Sequence, residues 1–513
     1  MRDVLVAAAL GFALLPGVWT LLKPAVFREL TARPLLALMA LACGLMAVWW
    51  LLPLVPGRLA AFAIPVIAAI DVLFYLRSRG DYGRSRGLPP GSLSLANSLD
   101  AIDDPTFYAQ AARRWGPVFK MSQFQRPVAC IVDLPLGLEI MESQRANLAQ
   151  PRLPFGRLSP GNYIEFMQDE QHARYRGILK SALSGPVVTD SRPGVRSVMQ
   201  HELSAWAERD RGQGSDPDPV LERISFASLV RVVFGIAADD PRVDELEQSF
   251  AALGSARMFL ERRPEQRQEP YNRLVGIVRD FGTGMLADRA TGADPPPRSL
   301  LGEILKTDPA QLGDDTLIGN LVLIVHVTRS NIRGLLGWVL KEYCDHPEFG
   351  LEIREAASGT TTATASVGAL AGNFVNETLR LHQSEYFYRE VKHPISIGPY
   401  RIPRGWLLRV CVRECHDNPD VFPHPEQFDP KRFAGRHYTK GEYCPFSDGS
   451  HSCFGAGLAV MIANTLVTVL ATGFQVRGVA DGPVVRQGNR HWSHWRPSLA
   501  FRVAVSLPGA GTE

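Results

Sequence analysis

Three apolar runs open the chain. Val4 to Leu22 carries no charge, Leu35 to Val55 follows with Trp49 and Trp50 near its end, and Leu59 to Leu76 is interrupted by Pro65 and Asp71. Each is close to the roughly 20 residues that cross a hydrocarbon core of about 30 Å. The first two read as transmembrane helices. Asp71 weakens the third, because a carboxylate at the bilayer centre costs about 2.5–3.5 kcal/mol; that segment crosses, re-enters or lies at the interface. Lys23, Arg28 and Arg33 follow the first run, Arg58 the second, and Arg77, Arg79, Arg84 and Arg86 the third. With three spans, the first and last of these groups share the cytoplasmic side, as the positive-inside tendency prefers. Residues 1–80 are therefore expected to be a membrane anchor of two to three helices, and 81–91 a basic hinge ending Gly87-Leu88-Pro89-Pro90-Gly91.

Beyond the hinge the periods change. Helical patterning covers Asp104 to Trp115, Gln171 to Leu183, most of 220–286, the long apolar stretch Thr316 to Cys344, Phe374 to Leu381, and Leu458 to Phe474. Short strand-like runs are Val118 to Met121, Pro127 to Val132, Tyr400 to Val412 and Phe501 to Val505. Thr360 to Ser366 reads as a loop or helix start, and no internal repeat is present. Residues 92–513 are predicted to form one mainly α domain with small β-sheets.

Composition adds two exclusions. Lys plus Arg is 55 against 52 Asp plus Glu, so the net charge of +3 gives no nucleic-acid signal. The seven cysteines are odd in number and scattered, which argues against a disulfide framework and for a reducing compartment. Cys411 and Cys415 lie in a strand-like run and read as packing residues.

The chemistry concentrates in Pro445-Phe446-Ser447-Asp448-Gly449-Ser450-His451-Ser452-Cys453-Phe454-Gly455, a glycine-punctuated loop leading into an apolar helix. A cysteine at a helix N-terminus faces unpaired N–H groups and the positive end of the dipole, which favours thiolate. One thiolate with no second ligand at zinc spacing does not make a structural metal site. It does suit a haem iron, which takes a single protein ligand on its proximal face.

Phe446, Gly449, His451, Cys453 and Gly455 fall on the pattern Phe-x-x-Gly-x-(Arg or His)-x-Cys-x-Gly, and the loop resembles the haem-binding loop of the cytochrome P450 family. The resemblance covers roughly residues 88–513, is densest from Glu377 to Ala459, and implies a cytochrome P450-like fold with haem b (iron protoporphyrin IX) bound. Cys453 would be the iron ligand, with Phe446, His451 and Gly455 in the cofactor loop. Glu377 and Arg380 stand three apart on one helix. With Arg432 they resemble the family's structural Glu–Arg–Arg cluster. His172 and Arg176, four apart, match a propionate-binding His-x-x-x-Arg pattern. Arg389 stands where a propionate arginine often lies.

The long helix departs from the family. Aligning Ile318-Gly319-Asn320 and His346-Pro347-Glu348 without gaps places Val327-Thr328-Arg329-Ser330-Asn331 over the iron. Ser330 then stands where the family has an acid and Asn331 where it has a threonine, and neither is an acid at pH 7. Thr328 replaces a glycine and narrows the groove. Thr328, Ser330 and Asn331 are the candidate catalytic residues. Asn331 can still hydrogen-bond an oxygen through its amide. His326 is a core or a site histidine, and Arg329 is expected to snorkel or pair elsewhere.

Three readings follow. The first is a monooxygenase acting on a lipophilic small molecule, with water or a substrate hydroxyl supplying protons. The second is a peroxide- or hydroperoxide-using isomerase or peroxygenase. The third is a non-catalytic membrane haem sensor. No flavin or ferredoxin module lies in the roughly sixty residues after Cys453, so a separate ferredoxin or flavoprotein donor is expected. Arg432, Arg436, His437 and Lys440 form a basic neighbourhood that could meet it or be a solvated charge cluster.

Overall fold

The computed structural model describes residues 87–93, 100–101, 104–123, 126–150, 163–167, 169–237, 240–254, 264–292, 298–360, 365–382, 387–486 and 495–508. The expected anchor, most of the hinge and the middle of the Thr360–Ser366 run lie outside them. The chain divides into two units, Met1–Asp133 with Glu390–Val410, and Leu134–Arg389 with Cys411–Glu513.

In the first unit, helix α1 spans Phe107–Trp115. It begins three residues later than the pattern predicts. The Asp104 carboxylate accepts the Thr106 N–H at 2.8 Å and its hydroxyl at 2.6 Å, which holds that stretch as a turn. Val118–Gln123 and Arg126–Ile131 pair antiparallel, and Leu407–Val410 adds parallel to the second. Gly91–Ser92 runs parallel to Val118–Gln123. A Cβ on Gly91 would lie 2.2 Å from the Lys120 carbonyl oxygen, so only glycine lets this edge approach. Phe119, Met121, Val128, Ile131 and Leu408 are fully buried.

The run Tyr400 to Val412 is not one strand. Tyr400–Ile402 folds back on Ile395–Ile397, Gly405 turns the chain at φ 84°, and Leu407–Val410 joins the larger sheet. Its end departs too, because Cys415 closes a one-turn helix, Val412–Cys415. Both Cys411 and Cys415 are buried.

The second unit is helical: α2 Leu134–Ser143, α3 Asp169–Ala182, α4 Gly185–Asp210, α5 Asp218–Phe234, α6 Arg242–Leu253, α7 Pro264–Thr291, α8 Leu300–Thr307, α9 Asp315–Asp345, α10 Pro347–Ser358, α11 Val367–His382, α12 Val412–Cys415 and α13 Ala456–Gly473. Two antiparallel hairpin pairs close it, Gln475–Ala480 with Arg502–Ser506 and Val485–Arg486 with Trp495–Arg496.

Helix α9 is the spine of this unit. Asp314 caps it, accepting the Leu317 N–H at 3.0 Å. The same carboxylate accepts the Tyr175 hydroxyl of α3 at 3.0 Å and pairs with Arg174 at 3.3 Å. Pro347 cannot continue the ladder and starts α10. Helix α11 starts seven residues before the predicted Phe374, because the Ser366 hydroxyl accepts the Ala369 N–H and caps it. Helix α13 alone among the described residues is long and apolar enough to cross a membrane. Its Ile462, Leu466, Val467 and Leu470 are fully buried in the core of this unit, so it is a core helix.

Candidate active site

Cys453 lies two residues before Gly455, the N-cap of α13. The loop reaches it through left-handed backbone at Ser447 (φ 65°) and Gly449 (φ 73°), then closes when the Cys453 N–H donates to the Phe446 carbonyl at 2.9 Å. The thiol is exposed. A Cβ on Gly455 would sit 3.8 Å from Sγ, so the missing side chain keeps that flank of the sulfur open.

Cations gather beside it. Helix spacing puts His172 and Arg176 on one face of α3. The His172 ring stacks on His451, centroids 3.9 Å apart and 22° from parallel. Arg176 Nη2 donates to the Ser452 hydroxyl at 2.9 Å. Burial, then the charges of Arg176, Arg389 and Arg145, push the His172 pKa down to about 4. Burial, His172 and the same arginines push His451 down to about 3. Burial lowers Arg389 to about 10, against the pull of the Glu165 carboxylate.

The structure thus brings together His172, Arg176, Arg389, His451 and Cys453, as the sequence suggested. It adds Arg145 and Ser452, which sequence reasoning missed. Arg145 sits in a short 3-10 turn, Arg145–Asn147, with no motif to mark it. Ser452 was readable only as the neighbour of Cys453.

The second cluster is assembled as expected. Arg380 donates to both Glu377 carboxylate oxygens at 2.8 Å, and Arg432 Nε donates to Glu377 Oε1 at 2.9 Å. The remaining donors of Arg380 reach the carbonyls of His416, Pro425 and Gln427. Glu377 and Arg380 are completely buried, so the pair is a desolvated one held by full hydrogen bonding. Arg432 is nearly buried within it. That withdraws Arg432 from the basic neighbourhood, where Arg436 in turn pairs with Glu442 at 3.3 Å.

On α9, Arg329 and Arg333 share a face and both pair with Glu222 of α5, at 3.2 and 2.8 Å. Arg329 therefore pairs elsewhere, as expected. His326 is buried near the Phe250 ring. The Ser330 hydroxyl turns back and donates to its own helix at Val327 O, 3.0 Å. Thr328 and Asn331 are three apart and share a different face; by the helical period Asn331 lies roughly opposite Arg329. The Asn331 Oδ1 is buried with no hydrogen-bond partner among the described residues.

Comparison with known proteins points to one family and one fold. The sequence profile of the cytochrome P450 family matches residues 362–490. Abscisic acid 8'-hydroxylase 3 of rice (Oryza sativa subsp. indica) is 27% identical over 77% of this chain and 83% of its own length. Abscisic acid 8'-hydroxylase 1 of Arabidopsis thaliana is 23% identical over 83% of this chain and 94% of its own. Among solved structures, retinoic acid bound cyanobacterial CYP120A1 aligns with a TM-score of 0.66 at 19% identity, covering 83% of this chain and all of that one. The fold is that of a mainly helical haem-thiolate protein with small sheets. Residues 362–490 carry a cytochrome P450 domain, and the chain is an oxidoreductase of the monooxygenase class.

Haem b is the family's cofactor, and the donor set fits it. The exposed thiol of Cys453 would supply the one protein ligand that its iron needs. Arg145, Arg176 and Arg389 converge on two imidazoles that burial first, and then these charges, keep neutral. Two propionates are the counter-charge that would relieve this.

Proposed function

We propose that this chain is a haem-thiolate monooxygenase that hydroxylates a lipophilic small molecule, with electrons from a separate ferredoxin or flavoprotein. The observation that carries the reading is the convergence of Cys453 with the cations Arg145, Arg176 and Arg389 and the neutral imidazoles of His172 and His451 at one end of α13. Cys453 would hold the iron, and Arg176, Arg389, His172 and His451 the propionates. Phe446 and Gly455 shape the loop around the thiol. Glu377, Arg380 and Arg432 fix the chain behind it. Bound there, the haem supplies reductive cleavage of dioxygen, with two electrons and two protons placing one oxygen in a C–H bond and the other in water.

The chain's own distal residues handle protons differently from an acid–alcohol pair. Ser330 is turned to its own helix, and Arg329 and Arg333 are both engaged by Glu222. Asn331, beside Thr328 on the other face, carries an amide that can hold a water or a substrate hydroxyl but cannot itself deliver a proton. Protons therefore come from the held group.

The relatives are named for hydroxylating abscisic acid, and a small lipophilic molecule of that kind is the substrate class proposed here. Residues 1–80 supply two to three membrane spans, 81–91 the hinge, and 92–513 the haem domain on the cytoplasmic side. Such an anchor places the domain where lipophilic substrates partition.

The test is turnover of the purified full chain with dioxygen, a surrogate reductase and ferredoxin, offered abscisic acid and a panel of lipophilic acids and alcohols. The expected result is coupled loss of reductant and oxygen with a hydroxylated product. Consumption of a lipid hydroperoxide without reductant, and of no dioxygen with it, would overturn the reading; so would an intact haem spectrum with no turnover of any oxidant.

A further inference from the structure

Two distant parts of the second unit meet at His416. Its carbonyl accepts from Nη1 of Arg380 at 3.1 Å, and its Nε2 accepts the N–H of Cys444 at 3.0 Å. Cys444 opens the cysteine loop. Two residues further on, the Phe446 carbonyl takes the Cys453 N–H at 2.9 Å. A short path of hydrogen bonds and two residues of backbone thus runs from the buried Glu377–Arg380 pair, through His416, to the backbone of Cys453. Next to it, the Tyr443 hydroxyl donates to the Asn376 carbonyl at 3.0 Å, a second tie between the loop and α11.

The ring is held in one state. A backbone N–H donates to Nε2, so Nε2 carries the lone pair and Nδ1 the proton. That Nδ1 is buried with no hydrogen-bond partner among the described residues. The rings of Tyr443 and Phe422 stand 5.1 and 6.2 Å from its own. His416 is completely buried. Burial and the Arg380 charge push its pKa down to about 3, so the lone pair persists at neutral pH. An unpartnered buried donor is destabilising. A rigid ring kept there in spite of it provides what an apolar side chain would not, an acceptor for the Cys444 N–H.

We propose that His416 is a positioning residue for the Cys453 thiolate, coupling the buried Glu377–Arg380 pair to the start of the cysteine loop. The proposal rests on Cys453 being the haem ligand. Without the His416 acceptor, the Cys444 N–H loses its partner, the loop start shifts, and the Cys453 sulfur is held less firmly as a ligand. The iron then passes more readily to a thiol-bound or unligated state.

The experiment is the ferrous–CO spectrum and reduction potential of the haem-loaded full chain. His416→Ala is expected to lower the ratio of thiolate-type to thiol-type CO band by about fivefold, the factor one ordinary hydrogen bond carries, and to shift the potential. His416→Gln, whose Oε1 can accept from the Cys444 N–H, is expected to restore the wild-type ratio. Cys444→Ser keeps the N–H and should keep the wild-type ratio as well. If His416→Ala binds haem with the wild-type ratio and potential, the proposal is overturned; so it is if His416→Gln is as impaired as His416→Ala. Should His416→Ala not fold, ¹⁵N spectra of histidine-labelled wild-type protein decide, with His416 assigned by its loss in His416→Gln. A proton on Nδ1 supports the bond, and a proton on Nε2 removes it. Cys453→Ser is the separate control: if it retains the thiolate-type band, the ligand assignment fails whatever His416 does.

Discussion

The imidazole of His172 lies flat on that of His451, 3.9 Å between centroids, although helix α3 and the cysteine loop are far apart in sequence. Both rings are held neutral by burial and by Arg145, Arg176 and Arg389. Arg176 also ties α3 to the loop at Ser452. Replacing Arg176 by Ala removes a cation and that tie together. Haem should then leave about tenfold faster, the scale of one charge-assisted hydrogen bond. Transfer of haem to a scavenging globin measures it.

Glu377→Ala leaves Arg380 charged and completely buried, and takes the acceptor from Arg432. Breaking a buried pair from one side costs about 3–5 kcal/mol. Most of the chain should fail to accumulate as haem-loaded protein, and the remainder should melt at a clearly lower temperature. Arg380→Lys retains the charge but loses the forked contact to both carboxylate oxygens and the carbonyls beyond, so it should rescue little.

The two polar positions in the middle of α9 should separate in their effects. Ser330→Ala removes a hydroxyl already bonded to Val327 O, and should alter product formation little. Asn331→Ala removes the amide proposed to hold the proton-bearing group. It should lower the share of reductant recovered as product by about tenfold, roughly one hydrogen bond to a reacting group, with substrate affinity nearly unchanged. Parallel measurement of reductant, hydrogen peroxide and product distinguishes the two variants.

Acid should weaken this fold in part through His416. Its pKa falls from 6.5 to about 3 on folding, so above pH 6.5 the ring is neutral in both states and its contribution is intact. As pH falls from 6.5 towards 3, the unfolded chain takes up a proton that the folded chain refuses, and stability is lost across that window. His416→Gln should show a flatter dependence of the melting midpoint over the same range.

Local signals were legible where the chemistry needs residues close in sequence. Phe446, Gly449, His451, Cys453 and Gly455 are fixed within one turn-and-helix unit, and Glu377 and Arg380 are paired by the helix period alone. Arg432 was legible through its segment. What was hidden depends on contacts across long separations. His416 reaches Arg380 and Cys444 over 36 and 28 residues, and nothing local marks it. The break in Tyr400 to Val412 came from a turn at Gly405 that alternation could not display. The early start of α11 came from a cap at Ser366, ahead of Gly368 and Gly372, whose low helix propensity masked it.

Asp314 is bonded by Tyr175 of α3 while it caps α9. The helix that carries His172 and Arg176 and the helix that carries Asn331 therefore share a pivot. A tilt of α9 about that pivot would be transmitted as a lever to α3, so a bulky guest pressing on the long helix would also tug at the cationic rim, and cofactor grip and guest shape would be felt through the same hinge.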